Sequence, residues 1–82
     1  MNQDANFKRA VTIYSGFISD GFIKDNDDLN VLTTYLESIK NDVHLRSKFW
    51  LTIKPNYLND STCRDTMSEL ERLRGFQSAR AS

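Results

Sequence analysis

The sequence predicts an all-α fold, a small single-domain bundle of three to four short helices over residues 1–82. Three observations predict it. Apolar residues recur every three or four positions through most of the chain, which is the period of one helix face. Asp and Asn stand where helices would begin, and their side chains cap free backbone N–H groups. The chain has 82 residues, too few to build two hydrophobic cores.

The first helix is expected from about Asn6 to Phe22, with Asp4 as its N-cap. Phe7, Ala10, Val11, Tyr14, Phe17, Ile18 and Phe22 form its apolar stripe. A hairpin turning at Ser15-Gly16 is the local alternative, because Val11 to Tyr14 favour strands and Gly16 and Gly21 weaken a helix. Lys24 to Asp28 is a polar break, and Asp27 or Asp28 would cap the second helix. That helix carries the clearest period in the chain: Leu29, Leu32, Leu36, Ile39 and Val43, spaced 3, 4, 3, 4.

Asn41-Asp42 separates the second helix from a third that carries Val43, Leu45, Phe49, Trp50 and Ile53. The third ends before Pro55, since the residue preceding proline disfavours helical geometry. Residues 56–60 connect to the last helix, with Tyr57 and Leu58 facing inward and Asp60 or Ser61 as cap. Cys63, Met67, Leu70 and Leu73 are its expected stripe, and Glu69 pairs with Arg72 three residues on. Gly75 is placed to end this helix in a left-handed conformation, letting Phe76 fold back onto Leu70. A frayed tail is expected over about 77–82.

Composition bounds the function. Eleven basic and eleven acidic side chains give zero formal net charge, which argues against stable nucleic-acid binding. That zero is a sum of unlike regions. Asp20 to Asp42 holds six acidic and two basic residues, a net of −4, whereas Val43 to Asn59 holds three basic and no acidic residues, a net of +3. The longest apolar run is three residues, Phe49-Trp50-Leu51, against the roughly 20 needed for a membrane span. The polar N-terminus lacks the layout of a secretory signal, so a cytoplasmic location is expected. A single cysteine excludes an intramolecular disulfide and suits a reducing compartment.

No constellation points to catalysis, a metal or a cofactor. Asn26, Asp28, Asn30 and Glu37 fall at calcium-loop positions, but the position needing a sharp turn is Val31. Cys63 and His44 stand at unremarkable spacing, without a nucleophile setting or a phosphate-cradling loop. The chain is therefore read as a non-enzyme that binds a protein partner. Phe49, Trp50 and Ile53, rimmed by Arg46 and Lys48, are the expected partner-binding face, because adjacent large residues lie about 100° apart on a helix and are hard to hide together; burial of Phe49, Trp50 and Leu51 inside a small bundle is the equal alternative. A second copy of the chain could occupy the same face, and a regulator binding nucleic acid or transcription machinery is the alternative.

The stretches MNQDANFKRAVTIYSGFISDGFIKD and YLESIKNDVHLRSKFWLTIKPNYLND, in a chain of this length, resemble the small cytoplasmic lysis-inhibition accessory proteins (antiholins) of T4-type bacteriophages. The likeness covers the whole chain and rests on no single motif. It implies a host-cytoplasmic regulator that binds the cytoplasmic segment of a membrane holin and delays host-cell lysis. It assigns no individual residue.

Overall fold

The computed structural model describes residues 2–57 and 61–81, with side chains over 4–57 and 61–79. Among these are four helices and no strand: α1 (Asn2–Asp20), α2 (Asn26–Ile39), α3 (Val43–Ile53) and α4 (Thr62–Ala81). The hairpin alternative is not formed, and Ser15 and Gly16 lie inside α1.

Local chemistry sets the boundaries. Gly21 has φ +83°, a left-handed conformation cheap only for glycine, and its N–H donates to the Phe17 carbonyl at 2.8 Å, closing α1. The chain then turns so that Phe22 is 52% exposed while Ile23 is buried at 6%. This corrects two members of the expected α1 stripe. Phe22 lies beyond the helix, and Ile18 sits about 100° past Phe17, on a side that no helix covers. Asp4 falls within the first turn of α1 instead of capping it.

The cap of α2 is Asp25, two or three residues earlier than expected, and its carboxylate accepts the Asp27 N–H at 2.8 Å. Asp27 and Asp28 remain in the first turn, where negative charge is favourable. Asp42 caps α3 as the sequence indicates, accepting from His44 N–H at 3.0 Å and Leu45 N–H at 3.1 Å. Lys54 is extended, as a residue before proline must be, and its N–H closes α3 on the Trp50 carbonyl at 2.8 Å. Leu58 and Asp60, expected as an inward residue and a cap, lie outside the described residues.

Packing buries Leu29, Leu32, Tyr35, Leu36 and Ile39 of α2, so the 3-4-3-4 pattern is the inner face of the central helix. Val43, its expected last member, opens α3 and is exposed. Ala10, Tyr14 and Phe17 come from α1, and Leu70 and Leu73 from α4. Aromatic rings run through the core in edge and tilted contacts. Phe7 meets Tyr35 at 6.4 Å, Tyr35 meets Phe49 at 5.8 Å, and Phe49 meets Trp50 at 5.2 Å. Trp50 in turn stacks on Tyr57 at 5.7 Å.

Two expectations for α4 are overturned. Its inward face is Thr62, Thr66, Leu70 and Leu73, while Cys63 is exposed and Met67 is 45% exposed. The reason is the buried indole. Trp50 Nε1–H needs an acceptor inside the core and finds Thr66 Oγ1 at 2.8 Å, and that hydroxyl donates onward to the Thr62 carbonyl at 2.6 Å. Gly75 does not end the helix. The only positive φ at a described glycine is at Gly21, and α4 continues through 77–81, where Gln77 Nε2 donates to Asn30 Oδ1 at 2.6 Å. Phe76 still packs inward, edge-on to Phe17 at 5.9 Å.

The two glycines should respond oppositely to alanine. At Gly75 a Cβ meets open space within a helix, so Gly75→Ala is expected to stabilise by about 0.5–1 kcal/mol. At Gly21 the same change forces a side chain into the left-handed region and should cost about 1–2 kcal/mol. Thermal melts of both variants check the pair. A Gly75→Ala that destabilises would place a helix end there after all.

Candidate functional site: a groove across α1, α2 and α3

The residues expected to form one binding face are dispersed. Phe49 and Trp50 are 0% and 1% exposed, so they are core and not surface. A single helix hides both because α3 is wedged between neighbours. Phe49 faces Tyr14 of α1 and Tyr35 of α2, while Trp50 faces Thr66 of α4. Ile53 is half-buried against the core. Arg46 is half-buried too: its Nη1 donates to the Lys40 carbonyl at 2.7 Å, at the end of α2, and its buried Nε has no hydrogen-bond partner among the described residues. Lys48 is exposed, with its ammonium 4.6 Å over the Phe7 ring.

Lys48 points to a different surface. Two adjoining clefts of about 300 and 280 Å³ share Asn6, Tyr35 and Ser38 and form one shallow groove across α1, α2 and α3. Phe7, Tyr35, Ile39 and Leu45 supply its apolar floor, and Val31 extends that floor along α2. Asn6, Asn30, Thr34 and Ser38 supply amides and hydroxyls along its walls, with Asp4 and Lys48 as its charged members. Burial raises the pKa of the Tyr35 hydroxyl, which keeps it a neutral donor and acceptor.

Of the groove residues only Lys48 was expected to bind a partner; the α2 side of the groove escaped the sequence reading, although a signal exists. Val31, Thr34, Tyr35 and Ser38 recur at helical spacing directly beside the leucine stripe, but Thr and Ser read as a solvated face. Behind α2, Glu37 bonds both Lys40 and Arg74, and the Lys40 bond, followed by the nearby Arg74 charge, holds its carboxyl below the usual range.

The positions matching a calcium loop lie inside the continuous helix α2, which removes the loop geometry such a site needs. Among the described residues, no group of three or more His, Cys, Asp or Glu side chains is placed to hold a metal, and no helix is long and apolar enough to cross a membrane. His44 and Cys63 are both exposed. No protein-family model, no curated protein and no solved structure gives a significant match to the chain.

Proposed function

We propose that this chain is a non-enzymatic regulatory protein that works in the host cytoplasm as a phage antiholin, binding the cytoplasmic segment of a membrane holin and delaying lysis. The observation that supports a protein-binding role is the α1–α2–α3 groove, in which an apolar floor is flanked by amides and hydroxyls. An apolar floor with a polar margin suits an amphipathic segment, whose apolar side chains seat on the floor while its backbone and polar groups meet the walls. The sequence resemblance supports the choice of a holin segment as that partner.

Of the five basic side chains that would carry a nucleic-acid reading, Lys8, Arg9, Arg46, Lys48 and Lys54, four are engaged within the chain, Arg9 through an ion pair with Asp28 at 3.5 Å. Arg46 bonds a carbonyl, Lys48 covers Phe7, and Lys54 sits 5.5 Å over Tyr57. With zero net charge, this favours the protein-binding reading over a phosphate track.

Co-expression with the holin is expected to delay lysis, and a holin cytoplasmic peptide is expected to co-purify with the chain. Unchanged lysis timing despite good expression would sink the proposal. Asn6→Arg and Thr34→Arg place bulk and charge at exposed positions on the groove. Together they should weaken peptide binding by about tenfold or more while shifting Tm little. Full affinity in that double variant would move the partner to another surface.

A further inference from the structure

Helix α4 is the longest element among the described residues, and part of the face it turns to the rest of the molecule is polar. Its 20 residues bring two wholly buried apolar side chains, Leu70 and Leu73, together with half-buried Phe76. By contrast, the 14 residues of α2 bring five buried side chains. The rest of the α4 seam is polar. Thr62 and Thr66 face inward, and the Thr66 hydroxyl is satisfied by a carbonyl of α4 itself.

Glu69 also lies in the seam, with its side chain only 17% exposed. Its Oε2 is buried without a hydrogen-bond partner among the described residues, while Arg72 stands 3.7 Å from Oε1. The carboxylate lies close enough to Tyr14 to help burial raise that hydroxyl's pKa. A desolvated carboxylate oxygen penalises the docked arrangement, and undocking would return it to water. Several polar ties cross the seam: Thr66 accepts the Trp50 indole N–H, the Glu69 carboxylate is in hydrogen-bond contact with the Tyr14 hydroxyl, the Arg72 guanidinium sits 4.8 Å over the Phe17 ring, and the Arg74–Glu37 and Gln77–Asn30 pairs join side chains near the surface, where such pairs are individually weak.

We infer that α4 is a lid that opens from the α1–α3 body as a unit, more often than the body unfolds, and uncovers Trp50. The body keeps its own closure when the lid is open. Tyr14 meets the indole edge at 5.3 Å and Tyr57 stacks on it, and both lie before the chain reaches α4. Local openings of this kind are drawn from elements with few buried apolar contacts. The inference is independent of what the groove binds.

Native-state hydrogen exchange on the full chain tests it. The amides of Leu70 and Leu73 are expected to exchange through an opening about tenfold or more populated than the one that frees Leu32 and Leu36. Equal protection, with the same denaturant dependence in both helices, overturns the inference. Glu69→Leu removes the buried carboxylate and is expected to raise protection in α4 selectively, whereas a rise shared equally with α2, or none, counts against the lid. If that variant does not fold, the comparison within the unaltered chain decides alone.

Discussion

Trp50→Ala is expected to cost about 3–5 kcal/mol of stability, the usual range for emptying a buried tryptophan site. Four contacts go together: the edge contacts with Tyr14 and Phe49, the stack on Tyr57, and the Nε1–H bond that leaves Thr66 Oγ1 without its donor. A domain of this size is held by only about 4–12 kcal/mol in all. At about 4–8 °C per kcal/mol, the melting temperature should fall by roughly 15 °C or more, and the variant is expected to populate unfolded chains at 37 °C. Thermal unfolding by circular dichroism reads this without needing the indole. A melting temperature unchanged by Trp50→Ala would place the residue at an interface, the other reading the sequence allows.

Leu36→Ala carries the second large effect, about 2–5 kcal/mol. Leu36 is fully buried on α2, which packs against all three other helices. The cavity would open at the centre of the molecule, where collapse from any one side is blocked by the remaining helices. Denaturant titration should show a lower midpoint with an unchanged slope. Met67→Ala is the informative control. The sequence put Met67 in the core stripe, but the structure leaves it 45% exposed, so its loss should fall within about 0.5 kcal/mol. A cost near that of Leu36→Ala would restore the original stripe and displace Thr62 and Thr66 from the inner face.

The contrast between these positions shows what could be read in advance. The face of α2 was legible because four aliphatic residues at 3-4-3 spacing admit one helical reading and no other. The start of α3 was legible because Asp42 precedes its first apolar residue at capping distance. The face of α4 was not. Thr62 and Thr66 are inside only because an indole N–H sixteen residues earlier needs an acceptor, and no local pattern carries that demand.

Gly75 misled for a related reason. Glycine is compatible with a helix end, but α4 is carried past it by contacts from Phe76 and Gln77 to other helices. Gly21, followed directly by Phe22, held the real left-handed turn. The candidate site was the least legible part. A wedge among the three other helices hides both Phe49 and Trp50, a tertiary fact, and the groove is walled by amides and hydroxyls that look like ordinary solvated surface.

The string of rings from Phe7 to Tyr57 has an optical consequence. The chain contains one tryptophan, so any indole emission comes from a single site. That site touches Phe49, which touches Tyr35 at the floor of the groove, and on its other side it bonds to α4. The protein therefore carries one intrinsic fluorophore, in ring contact through Phe49 with the floor of the groove and hydrogen-bonded to α4, so a single emission band can test both proposals without a label.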